Sequence, residues 1–301
     1  GNGVEYSEKE SFIFLSLAAE QGDEDAQQAL KNYFKEDTEN INKDKGVVNY
    51  VGNGRFQFEK GLAYFYGDGV EKNIDEAVRL FKLASEQGHV GSMKTLGTLY
   101  LIGYGIERNE KEGFRLLSLA AEQGDAESQC SVALFYAKGT GVEKNEKEAV
   151  KYYKLAADQG YSNAQYELGK YYSEGLGGVD KNMDEAMKYF KLAAEQGNPG
   201  AQACLGSICE IENNFDEAVK WYKLSANSGF PPAQYNLAVC YQLGNGVEKN
   251  MNEAIKYFKL SANQGLSYAQ LALGYCYLEG NGVEYSEKES FIFLSLAAEQ
   301  G

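Results

Sequence analysis

Residues 160–197 read GYSNAQYELGKYYSEGLGGVDKNMDEAMKYFKLAAEQG, and the spacing inside this stretch decides the fold. Ala164, Leu168, Gly169 and Tyr172 fall at i, i+4, i+5 and i+8, one face of a helix, here termed helix A. Gly175-Leu176-Gly177-Gly178-Val179 follows, a turn in which glycine supplies positive φ without a steric penalty. Asn182, with Glu185 three residues on, reads as an N-cap and its capping-box partner. Helix B then carries Ala186, Phe190, Ala193 and Ala194 and ends at Gly197, a residue suited to the left-handed C′ position. Small residues at fixed places let two helices approach, and Tyr and Phe fill the remaining space.

Working outward, the same helix end recurs at Gly22, Gly88, Gly124, Gly160, Gly197, Gly229, Gly265 and Gly301, with gaps of 66, 36, 36, 37, 32, 36 and 36. A fixed period of this size marks a repeat architecture. The cap signal recurs with it at Asn73/Glu76, Asn109/Glu112, Asn145/Glu148, Asn214/Glu217 and Asn250/Glu253, and as Ser7/Glu10 and Ser286/Glu289. The gap of 37 is the extra glycine of Gly177-Gly178. The gap of 32 is the loss of the Gly-x-Gly-Val turn at Ile211-Glu212-Asn213-Asn214-Phe215. That deletion is expected to change the local superhelix angle.

The pattern A-x-x-x-L-G-x-x-Y-x-x-G-x-G-V, then A-x-x-(W/Y/F)-x-x-x-A-A-x-x-G, resembles the Sel-like repeat family, relatives of the tetratricopeptide repeats. Leu96, Gly97, Tyr100, Gly103, Gly105 and Ile106, then Phe114, Leu117, Ala120, Ala121 and Gly124 carry it in one repeat. The resemblance covers roughly residues 52–301. It implies an all-α fold, a right-handed α/α superhelical solenoid of about seven helix-pair repeats, with an extra N-terminal helix pair. For function it implies an adaptor or scaffold whose partner is a protein or peptide.

The organisation expected is residues 1–36 as a helix B followed by a helix A, 37–54 as a polar linker, and 55–301 as the solenoid. Gly1–Gly22 and Gly280–Gly301 are identical, whereas the other repeats match only partly, which points to a recent or engineered duplication. Asp23–Glu36 continues as a helix A, with Ala26, Leu30 and Phe34 in register and Lys31 in place of the small Gly. It reads as the natural continuation of Gly301. The chain opens at Gly1 without a Met, as a fragment or processed form does.

The related tetratricopeptide geometry implies which helix A positions face a groove. Carried over, they are Glu127, Leu134 and Lys138; Asn163, Tyr166 and Lys170; Tyr235, Val239 and Gln242; and Tyr268, Leu271 and Tyr275. The four tyrosines either form an aromatic strip for a partner, since such side chains dominate binding hot spots, or pack between neighbouring repeats. An alternative function is a structural or engineered assembly module. In it the apolar face of residues 8–22 (Phe12, Leu15, Ala18, Ala19) associates head to tail with another chain.

Enzyme chemistry is not expected. His89 is the one histidine, and it stands at a helix start, where it reads as a surface or capping residue and not as a catalytic base. A Ser-His-Asp or Cys-His site has no other base to use, and zinc lacks ligands. The Gly-x-Gly turns join two helices and follow no strand, so they do not match a phosphate loop. No cofactor or metal is expected. A net charge of −15 disfavours free nucleic acid and anionic membrane surfaces as partners, and no apolar run is long enough to span a membrane. Cys130, Cys204, Cys209, Cys240 and Cys276 are odd in number, lack a CxxC pair and all fall on helices A. They read as packing residues in a reducing, cytoplasmic compartment.

Overall fold

The computed structural model describes residues 54–300, which hold fourteen α-helices and, among these described residues, no strand. They are α1 (Gly54–Tyr66), α2 (Ile74–Glu86), α3 (Val90–Ile102), α4 (Glu110–Glu122), α5 (Ala126–Lys138), α6 (Glu146–Asp158) and α7 (Ser162–Glu174). They continue as α8 (Met183–Glu195), α9 (Pro199–Ile211), α10 (Phe215–Asn227), α11 (Pro231–Leu243), α12 (Met251–Asn263), α13 (Ser267–Glu279) and α14 (Glu287–Ala298). Odd helices are the A helices and even ones the B helices, giving the seven pairs expected. Residues 1–36, the assembly residues Phe12, Leu15, Ala18 and Ala19, and the linker up to 53 lie outside the described residues.

The chain divides into two compact units, Gly1–Tyr152 and Tyr153–Gly301. In the first, α1 packs on α2 and α3 on α4, and α2 and α4 each pack on the A helix that follows. In the second, α7, α9, α11 and α13 pack on α8, α10, α12 and α14, and each B helix again packs on the next A helix. α2, α4, α8, α10 and α12 are therefore each covered on one side by their own A helix and on another by the next.

Close approach within a pair depends on the A-helix glycine. A Cβ on Gly169 would sit 2.7 Å from the Phe190 ring, and one on Gly206 would sit 2.6 Å from Tyr222. The aromatic ring of helix B fills the space the missing side chain leaves. A second aromatic pair stacks at the turn end of the helices: Tyr172 on Tyr189, Tyr241 on Tyr257 and Tyr277 on Phe293, all within 6° of parallel. Lys154, Lys223 and Lys259 lie over the outer ring of each. Those tyrosine faces are thereby committed to the fold.

The N-caps form as expected. Asn73, Asn109, Asn182 and Asn250 accept the N–H three residues on at 3.0–3.1 Å. The capping-box half of the expectation needs correction. The cap residue's own N–H donates across the turn to the preceding A helix, Asn182 to Tyr172 O and Asn250 to Tyr241 O, both at 2.8 Å. The carboxylates expected to take that N–H turn forward instead: Glu76 pairs with Arg79, Glu185 with Lys188 and Glu253 with Lys256. A tertiary acceptor has displaced a local one. Where the Gly-x-Gly turn is deleted, Asn213 takes φ 60°, a left-handed conformation that Asn tolerates better than most residues.

A ladder of buried glutamines ties the repeats together. Gln165, Gln234 and Gln270 each donate backward to the preceding B helix, to Ala157 O, Ala226 O and Ala262 O. Each also accepts at Oε1 from the glutamine that ends its own B helix, Gln196, Gln264 and Gln300, at 2.8 Å. Gln202 occupies the same rung and donates to Ala194 O, but Ser228 stands where the partner glutamine belongs. Gln202 Oε1 is accordingly buried without a partner. A buried acceptor left unpaired costs about 1–3 kcal/mol. Ser228→Gln is therefore expected to stabilise the protein by about 1 kcal/mol. Urea denaturation of the two chains side by side checks this, and a variant no more stable than the parent would count against it.

Candidate functional site

On each A helix the second, fifth and ninth residues occupy the face that does not carry the Ala-Leu-Gly core pattern. Along α7 these are Asn163, Tyr166 and Lys170, and along α11 Pro232, Tyr235 and Val239. Along α13 they are Tyr268, Leu271 and Tyr275. Along α9 they are Gly200, Ala203 and Ser207, all small. The small residues leave a pocket of about 440 Å³ between α7 and α11. Tyr166, Lys170, Ser173 and Glu174 form its α7 wall. Phe230, Pro232 and Asn236 form the α11 wall, and Cys204 and Ile208 complete the α9 floor. Met183 and Phe190 of α8 reach into it from below.

Tyr166 is a fixed wall and not a swinging side chain. Its ring lies over Gly200, where a Cβ would be 2.8 Å from Cζ, and 6.2 Å from Phe190. Burial pushes its phenol up to about 12, so it remains a neutral donor at any ordinary pH. Lys170 lies 5.3 Å above the same ring and pairs with Glu167 at 3.0 Å. Burial likewise holds the Cys204 thiol up at about 11. A neutral thiol is a poor nucleophile, so Cys204 acts as lining.

The other expected groove residues fall into three kinds. Tyr268 and Tyr275 are 67% and 50% exposed, and Leu134 and Leu271 are also exposed. Tyr235 and Val239 are half-buried against the core below α11, with Tyr235 5.7 Å from Phe258 and 6.3 Å from Tyr268. Glu127 and Asn163 are engaged within the fold. Glu127 holds Lys94 at 2.7 Å, with Asp125 at 3.7 Å from the same ammonium. Asn163 accepts from Asn198, whose own side chain caps α9. Lys138 is exposed and Gln242 half-buried, and neither lies at the pocket. Of the twelve, only Tyr166 and Lys170 meet there. The floor of the pocket escaped sequence reading because Gly, Ala and Ser look like core spacers. Comparing the three groove positions across repeats would have singled α9 out.

His89 caps α3: its Nδ1 accepts the Ser92 N–H at 3.1 Å, and its ring lies 4.7 Å from Phe58. Burial, then the charge of Arg55, holds its pKa below the usual histidine value, as a capping acceptor requires. Among the described residues no group of His, Cys, Asp and Glu is arranged to hold a metal ion, and no helix is long and apolar enough to cross a membrane.

The Sel1 repeat model matches residues 1–23, 57–89, 93–125, 126–161, 162–198, 201–230, 231–266 and 267–301. The chain belongs to the Sel1 repeat family. A protective antigen of uropathogenic Escherichia coli with an SLR fold is similar at 31% identity and TM-score 0.80. The match covers 99% of this chain, which spans 66% of that protein. A Sel1 repeat protein from Oxalobacter formigenes is similar at 31% identity and TM-score 0.72, over 80% of this chain and 96% of its own. An immunity protein from Pseudomonas aeruginosa, at 22% identity and TM-score 0.50, shares the fold. Sel1 repeats have a fold typical of protein-interaction scaffolds, and repeat proteins of this kind bind proteins.

Proposed function

We propose that this Sel1 repeat chain is a non-enzymatic scaffold that holds a peptide or protein segment along its A helices, anchored in the pocket of α7, α9 and α11. The pocket carries the reading. It is mostly apolar, ends in the polar groups of Lys170, Ser173 and Asn236, and is roomy enough for one large side chain. Interfaces concentrate their energy in such anchors. Its walls are held in place by the fold, so little ordering is needed on binding. The exposed Tyr268, Leu271 and Tyr275 extend the face on α13.

The test is selection from a random peptide library displayed on phage, followed by affinity measurement on the whole chain. Tyr166→Ala removes a wall, and Asn236→Trp fills the space. Each is expected to weaken the selected peptides by about 2 kcal/mol, some thirtyfold, while Leu192→Ala on the exposed face of α8 leaves them unchanged. Peptides that bind all four chains equally would place recognition elsewhere.

A further inference from the structure

The pocket of α7, α9 and α11 reaches Met183 because a turn is missing. In intact pairs the second glycine of the Gly-x-Gly turn rests on the first residue of the preceding B helix: Gly105 on Ile74, Gly246 on Phe215 and Gly282 on Met251. Those three first residues are half-buried. The turn that would cover the start of α8 is the one deleted between α9 and α10, and Met183 is 45% exposed and lines the pocket. An occupant therefore meets apolar surface from the Tyr166 ring to the Met183 side chain.

The charge left open around that surface is negative. Two charged side chains line the pocket, Lys170 and Glu174. Lys170 is already engaged, by the Glu167 carboxylate at 3.0 Å and by the Tyr166 ring. Glu174, the last residue of α7, is exposed and joins no ion pair among the described residues. The wider surface has the same bias. On the described A helices of the second unit the carboxylates are Glu167, Glu174, Glu210 and Glu279, against the single cation Lys170. The cations of α8, α10 and α12 stand on the B helices instead, as Lys188, Lys191, Lys220, Lys223, Lys256 and Lys259.

A segment seated in the pocket partly dries the Glu174 carboxylate, and a carboxylate that loses water without gaining a counter-charge is costly. The occupant has to bring that charge. We infer, resting on the reading of this pocket as the anchor site, that the partner is a basic segment. Its large apolar side chain lies between Tyr166 and Met183, and a lysine or arginine of the same segment pairs with Glu174. The field of the A helices draws such a segment in, and the same carboxylate rejects an acidic residue beside the anchor.

Selecting a phage-displayed random peptide library on the parent chain and on Glu174→Lys in parallel tests it. Lysine suits the last turn of a helix, so the variant keeps α7. Peptides selected on the parent are expected to carry Lys or Arg next to a large apolar residue and to weaken with added salt. They are expected to bind Glu174→Lys roughly tenfold more weakly. Glu195→Lys makes the same change of net charge on α8 and is expected to leave them unchanged. The charge swap is the decisive arm: a selected peptide whose Lys or Arg is replaced by Glu is expected to bind Glu174→Lys better than it binds the parent. Peptides lost on Asn236→Trp but indifferent to Glu174→Lys, or carrying no excess of Lys and Arg, overturn the inference and leave the pocket reading standing. An equal loss on Glu195→Lys, or a swapped pair that gains nothing, does the same. Peptides indifferent to Asn236→Trp bind elsewhere and overturn both.

Discussion

Phe258→Ala is expected to lower the free energy of unfolding by about 3–5 kcal/mol. The ring is fully buried on α12 in a core cluster with Ala238, Ala254, Ile255, Ala262, Ala269, Leu273 and Cys276, with the half-buried Tyr235 ring 5.7 Å away. Four of those seven cluster members are alanines, whose short side chains cannot swing into the space a lost ring leaves. The cavity therefore stays open, which puts the cost at the upper end for a change of this kind. Phe258→Leu refills most of the volume and is expected to cost only about 1–1.5 kcal/mol. Stability in a repeat array is a sum of repeat and interface terms, so the loss is expected to concentrate in α11–α14. Hydrogen exchange of the amides in those helices, alongside urea denaturation, reads both the size and the place. A cost below about 1 kcal/mol would show that the alanine-rich layer collapses onto the gap after all.

Two glycines separate backbone strain from close packing. Gly265 has φ 88° and no atom within 4 Å of where a Cβ would stand, so Gly265→Ala adds only left-handed strain, about 1 kcal/mol. Gly246 has φ 67°, and its Cβ would overlap the carbonyl of Phe215 at the start of α10, coming 2.9 Å from Asp216 N. Backbone cannot rotate away as a side chain tip can. Gly246→Ala is expected to cost about 3–4 kcal/mol, the strain plus an overpacking penalty of about 2–3 kcal/mol. Thermal and urea unfolding of the pair gives the difference directly. Equal costs at the two sites would mean that the turn between α11 and α12 lifts off α10 freely.

The N-cap at Asn182 was legible because it depends on residues three apart in one chain segment, as were the helix pairs and the left-handed glycines. The capping-box partner was not, since Asn182 N–H had a better acceptor in Tyr172 O across the turn. The duplicated end was plain in the letters.

By itself, the sequence determined that this protein is a stack of helix pairs: a 36-residue period, a cap, a turn and a small-residue seam are local rules, each settled within one or two helical turns. The tertiary structure alone decided which polar groups pair between repeats, as in the glutamine ladder broken at Ser228. It also decided which tyrosines are walls and which are free, and where a pocket opens. Those outcomes depend on side chains some 30 or more residues apart meeting across a packed interface. The small Gly200, Ala203 and Ser207 make a cavity only because larger side chains of α7 and α11 stand on either side of them.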